Sequence, residues 1–300
     1  MSTPSYVSSM SSITDEKTVT EEIARLEIQL TAARAQLNHS PSSPPASDSH
    51  PAFPPNGLPS HALLLLSDSA LPLGSFAFSN GLESYLAHHP FPANPKAASE
   101  AFPHFLTLAL TTLATTTLPY LLAAHRSPKR LPELDATLDA CTLCPVARRA
   151  SVAQGKALLT LWERALRTGA GDSPAALALA QFSLEMRKTP LHCDNDDELS
   201  GHFAPIWAAV TCAMGITLHE STYTFLFNHA KAVVSAAVRA SVMGPYAAQG
   251  VLASGWLRGQ IEDLMAKNWD VGIDDAAQGV PMCDLWLGRH ELLYSRIFNS

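Results

Sequence analysis

Charge is what this 300-residue chain has least of. Asp, Glu, Lys and Arg make up 16% of it, against roughly 25% in an average soluble protein. Twenty basic residues face 27 acidic ones for a net charge of -7, and the basic residues never form the run that neutralises a phosphate backbone. Nucleic-acid binding is therefore not expected. Hairpin signals are missing too: no Asn-Gly or Asp-Gly pair separates two alternating apolar runs, which argues against a sheet. The five cysteines (Cys141, Cys144, Cys193, Cys212, Cys283) are an odd number, and the opening "MSTPSYVSSMSSITDEK" lacks the apolar core of a secretion signal. Free thiols in a reducing cytoplasm are the expectation.

Signatures of catalysis are equally scarce. The Gly155-Lys156 pair has Ala150 where a phosphate loop needs its first glycine and Ala157 where it needs a hydroxyl. "HESTY" from His219 and "HELLY" from His290 each lack the second histidine of a zinc peptidase. Around Ser79 the sequence reads "AFSNG", with Ala77 in place of the first glycine of a nucleophile elbow. A serine hydrolase using Ser79 or Ser69 thus stays an alternative without its full motif. Cys141 and Cys144 make one Cys-x-x-Cys with no second pair, either structural or a labile metal or redox contact. His192, Cys193 and Asp194 open an acidic stretch, "HCDNDDELSG", that is either a solvated loop or a weak set of ligands for a divalent metal such as nickel.

What is plentiful is apolar sequence, 47% of the chain, patterned for helices. Residues 15–38 carry Ile23, Leu26, Leu30, Ala33 and Leu37 at alternating spacings of three and four. This is a stripe of about two heptads, which makes either an appended helix or a short dimerising one. Residues 39–57 hold six prolines and five serines and read as a linker. The expected organisation is an arm over 1–60 and one all-α domain of roughly ten helices over 61–300. Residues 105–124 contain no charge and could span a bilayer by length. Their six threonines and Pro119 favour a core helix instead. A helix over 149–168 places Val152, Leu159, Trp162 and Leu166 on one face, with Gly155 inside it at a cost of about 1 kcal/mol unless close approach of another helix offsets it. A long helix over 217–243 lines up Phe227, Ala230, Val234, Ala237 and Ser241, a small-residue stripe that serves either a homodimer or the core. "SPKRLPELD" near residue 130 and "HCDNDDELSG" read as surface connections.

One stretch gathers these threads. "LLLLSDSALPLGSFAFSNGLESY", from Leu63, resembles the N-terminal signature of the UreF family of urease accessory proteins. "RRASVAQGKALLTL" at 148–161, "HFAPIWAAVTCAMGI" at 202–216 and "GRHELLYSRIFNS" at the C-terminus agree with that family in order. The resemblance implies an all-helical, non-catalytic cytoplasmic chaperone that forms a homodimer, binds a UreD-type (UreH-type) protein and through it recruits a UreG-type GTPase. Nickel, delivered to apo-urease, would be the cargo of that assembly, with no stably bound cofactor and no membrane or nucleic-acid partner. Carried onto this chain, Asp68, Ser69, Pro72, Gly74, Phe76, Ser79 and Glu83 form either a rigid turn presented to a partner, with Glu83 making the charged contact, or an internally bonded turn. The C-terminal Arg289, His290, Tyr294, Arg296 and Phe298 are candidate contacts of a tail that the family orders on its UreD-type partner. Two features depart from the family: the arm over 1–60, which its bacterial members lack, and the turn "VMGPYAAQG", rearranged around Gly244 and Pro245.

Overall fold

A computed structural model describes residues 21–31, 61–88, 95–169, 171–188 and 199–299, with the side chains of 95–100 and 169 left aside. The chain divides into two compact units, Met1–Leu58 and Pro59–Ser300. In the first, α1 covers residues 21–31 and every residue of it is exposed, including Ile23, Leu26, Ile28 and Leu30. The part of the heptad stripe that carries Ile23, Leu26 and Leu30 is therefore helical and exposed; residues 15–20 and 32–38 of the expected helix, with Ala33 and Leu37, lie outside the described residues.

The second unit holds twelve α-helices and, among the described residues, no strand: α2 (His61–Ser67), α3 (Leu82–His88), α4 (Pro95–Thr116), α5 (Leu118–Arg126), α6 (Leu131–Cys141), α7 (Pro145–Leu161), α8 (Pro174–Lys188), α9 (Phe203–Ala213), α10 (Leu218–Arg239), α11 (Pro245–Leu252), α12 (Gly255–Asn268) and α13 (Pro281–Arg289). The order follows from what each segment must bury. α9, "FAPIWAAVTCA", is apolar on all sides, so it cannot lie at a surface. It runs through the centre, with Ile206, Trp207, Ala208 and Ala209 fully buried, and packs most extensively on α5, α7 and α8. The Trp207 indole N–H donates to the Ser221 carbonyl, and Thr211 and Ser221 share a hydroxyl contact at 2.7 Å, tying α9 to α10. α10 starts on a reciprocal cap: Thr217 Oγ1 accepts the Glu220 N–H, while Glu220 accepts the Thr217 N–H.

The charge-free stretch at 105–124 is two helices rather than one. α4 ends at Thr116, Pro119 sits in the first turn of α5 where its missing N–H costs nothing, and the two axes differ by 43°. Thr107, Thr111 and Thr116 bond back to carbonyls four residues earlier, and Phe105, Leu106, Leu110, Leu118 and Leu122 are core residues. Among the described residues no single helix is long and apolar enough to cross a membrane; this bent pair passes by length and composition and is largely interior.

Two connections differ from expectation. "SPKRLPELD" is a 3-10 turn at Pro128–Arg130 leading into α6, whose Leu131, Leu134, Asp135 and Leu138 are buried. The two prolines that read as loop markers instead occupy helix starts, where proline is at home. The 149–168 helix ends at Leu161 and continues as a wider π turn (Trp162–Leu166) and a 3-10 turn (Arg167–Gly169). Gly155 does allow close approach, but to a backbone segment entering α9: a Cβ there would lie 2.1 Å from the Gly201 carbonyl oxygen.

The small-residue stripe of α10 faces inward. Ala230, Val234 and Ala237 are buried within this one chain, Phe227 is half-buried, and only Ser241, beyond the helix end, is exposed. The burial of Ala230, Val234 and Ala237 fits the core reading of the stripe, while Phe227 and Ser241 keep surface.

Candidate functional site

The signature turn starts where α2 ends. Asp68 Oδ1 accepts the Ala70 N–H at 2.9 Å and the Asp68 carbonyl accepts the Leu71 N–H, closing a turn of the kind aspartate favours. Gly74 takes a left-handed φ of 68°, which a side chain would resist, and opens the 3-10 turn Ser75–Ala77. Asn80 and Gly81 are also left-handed, reversing the chain so that Ser79 precedes α3. The fully buried Ser79 offers its hydroxyl oxygen to the Glu83 N–H at 3.3 Å. α10 holds this assembly from behind: Asn228 donates to the Leu66 carbonyl at 3.1 Å and Lys231 to that of Ser67.

Glu83 does not face solvent as a free charge. Its carboxylate accepts the His290 Nε2–H at 2.9 Å, the Ile297 N–H at 2.6 Å and the Phe298 N–H at 3.1 Å. The tail, residues 290–299, thus closes onto the signature turn, and the Asn299 N–H donates to the Ala77 carbonyl at 2.8 Å. Phe298 is buried, with the Arg239 guanidinium 4.3 Å from its ring centroid. Glu291 pairs with Arg149 of α7 at 2.7 Å. Next to Gly81, α13 packs so closely that Trp286 and Leu287 lie 3.5 to 3.6 Å from where a Cβ would be, and Trp286 meets Tyr85 edge to face at 4.8 Å.

This closure sorts the sequence-derived candidates. Ser79, His290 and Phe298 are buried and brace the turn and tail from below. Asp68, Ser69, Pro72, Arg289 and Arg296 are exposed, and Gly74 is half-buried in the turn. Phe76 is 67% exposed, Ile297 65%, Leu292 80%, and Tyr294 as open as in an extended peptide. Large apolar side chains so exposed, on backbone pinned by hydrogen bonds, are the composition of a contact surface.

Sequence reading missed a second polar cluster. Asp135 of α6, fully buried, accepts the backbone N–H groups of Ser200, Gly201 and His202 at 2.6 to 2.9 Å, capping the entry to α9. Asp139, one turn on, bonds the buried His202 Nε2 at 2.8 Å and Arg148 at 2.6 Å; His202 Nδ1 meets Ser151 Oγ at 3.0 Å. Burial works to raise the Asp139 pKa, but hydrogen bonds from Arg148, His202 and Ser200 and the Arg148 charge outweigh it and hold the carboxyl at about 2. The serine lies inside α7 and its oxygen also takes the Phe203 N–H, so the three residues clamp α9 to α6 and α7. The signal available in sequence was the i, i+4 pair Asp135 and Asp139 on a helix, hidden because "SPKRLPELD", which ends at Asp135, read as a surface connection.

A cavity of about 420 Å³ runs from Asp68, Ser69 and Phe76 past α10 to Cys144, Ser151 and His202. On its wall, Asn228 Oδ1 and His229 Nε2 are buried without a protein partner among the described residues. Burial lowers the His229 pKa to about 4. Cys141 is exposed and Cys144 buried, both as free thiols. No group of three or more His, Cys, Asp or Glu side chains is placed to hold a metal among the described residues, and His192, Cys193 and Asp194 lie outside them.

The family model described as UreF matches residues 97–255. An "Uncharacterized urease accessory protein UreF-like" of Schizosaccharomyces pombe is 35% identical, covering 80% of this chain and 97% of its own length. "Urease accessory protein 6" of Cryptococcus neoformans is 26% identical over 80% of this chain and 96% of its own. "Urease accessory protein F" of Oryza sativa subsp. indica is 30% identical, with 78% and 82% covered.

Proposed function

Because the chain belongs to the UreF family of urease accessory proteins, we propose that it is a non-catalytic scaffold of urease maturation in the cytoplasm. In this reading it binds a UreD-type protein through the joined turn and tail, and the pair recruits a UreG-type GTPase so that nickel reaches apo-urease as cargo. The observation that carries the reading is that Phe76 of the turn and Leu292, Tyr294 and Ile297 of the tail are all exposed, while Glu83 and Ala77 hold the end of that tail on the turn by hydrogen bonds to Ile297, Phe298 and Asn299. Rigid exposed aromatic and aliphatic groups lose little entropy on binding and dominate interface energies. Arg289 and Arg296, exposed beside them, supply charge at the rim. The absence of a phosphate-loop sequence fits a protein whose nucleotide chemistry belongs to a partner. The burial of Ser79 and its role as acceptor at the start of α3 give a hydrolase using Ser79 no support.

Co-expression with a UreD-type and a UreG-type protein, followed by light scattering of the purified material, tests the reading. A complex containing all three, lost when residues 289–300 are deleted, is expected. Separate elution at micromolar concentration contradicts it.

A further inference from the structure

We infer that Glu83 is the positioning residue of this surface: it clasps the chain's own C-terminal segment as a bound peptide, and the closed clasp joins the tail that carries Tyr294 and Ile297 to the turn that carries Phe76. The inference rests on the docking reading above and adds what builds the surface. Three donors converge on one carboxylate: the buried His290 ring and the consecutive amides of Ile297 and Phe298. The Glu83 side chain is only 12% exposed, so water competes poorly for these bonds, and bonds to an ionised acceptor are about twice as strong as neutral ones. Two further contacts hold the end of the segment. The Phe298 ring is enclosed beneath Arg239, and the Asn299 N–H reaches the Ala77 carbonyl. Ser79, Asn80 and Gly81 aim the carboxylate, through the hydroxyl on the Glu83 N–H and two successive left-handed residues. The glutamate of the signature therefore reads backbone amides 214 residues further along, while the contact side chains between His290 and Ile297 project outward.

Hydrogen exchange on the full-length chain tests the clasp directly. In the wild type the amides of Ile297, Phe298 and Asn299 should exchange at least tenfold more slowly than in an unstructured peptide. Glu83→Gln turns one of the two acceptor oxygens into a donor facing donors, and should abolish that protection while α9 and α10 stay protected. Phe298→Ala, which leaves Glu83 intact, should release the same amides; Tyr294→Ala should not. Affinity for a UreD-type protein should fall at least tenfold in both Glu83→Gln and Phe298→Ala although Phe76 and Tyr294 are unchanged. Equal protection in wild type and Glu83→Gln, or loss that spreads evenly through α9 and α10, overturns the clasp. Release of the tail with unchanged affinity overturns positioning. A wild type with protected amides that does not bind the partner keeps the clasp and sinks the docking reading with the positioning role.

Discussion

Gly155 has no room for even a methyl group, since the Gly201 carbonyl and the His202 and Phe203 backbone lie within 2.8 Å of the point where a Cβ would stand. Gly155→Ala should therefore destabilise the domain by about 1 to 3 kcal/mol or more through overpacking, despite alanine's better helix propensity, and thermal unfolding followed by circular dichroism checks it. His229 makes a second prediction at this scale. Burial depresses its pKa to about 4, so between pH 6.5 and 4 the unfolded chain binds a proton that the folded chain refuses. Stability is then complete above pH 6.5 and falls as pH drops toward 4, by roughly 2 to 3 kcal/mol for this group. Urea titrations at pH 7 and pH 4.5 should show that loss, and His229→Gln should reduce it. Sequence spacing marked Gly155 as a point of close approach but not what approaches, because the neighbour is a loop backbone with no pattern of its own. His229 gave no signal, one imidazole among twelve in a helix whose burial only the packing decides.

At the scale of elements, the all-helical class was readable from apolar periodicity, and the boundaries of the helices were not. Proline accounts for most of the differences: Pro128 and Pro132 start a 3-10 turn and α6, and Pro119 starts α5, all places where a proline looks like an interruption when only sequence is read. The stripe of α10 was compatible with a core or a dimer, and which one holds depends on whether other helices of the same chain reach it. The entry to α9 depends on Asp135, whose three amide donors have no other acceptor among their described bonds. Asp135→Ala should cost about 3 kcal/mol or more, because removing one partner strands the others in the interior. Its signature would be faster hydrogen exchange at residues 200–206 ahead of global unfolding.

For the whole molecule, the signature turn and the C-terminus were each legible as candidate contact segments. Their union was not, because Glu83 and the amides of Ile297 and Phe298 are separated by more than 200 residues and no spacing rule links a carboxylate to a backbone. That union changes the role of Glu83 from a charge offered outward to one used inward, and it leaves Phe76, Leu292, Tyr294 and Ile297 exposed. Under the proposed function these exposed groups bind a UreD-type partner. The most direct measurement is calorimetric titration of that partner into the wild type and into the double variant Phe76→Ala with Tyr294→Ala. Both side chains are largely exposed, so the double variant should melt with the wild type while its affinity falls about thirtyfold, the loss expected for a hot spot of roughly 2 kcal/mol. Equal affinity of the two proteins, with folding unchanged, would contradict the account.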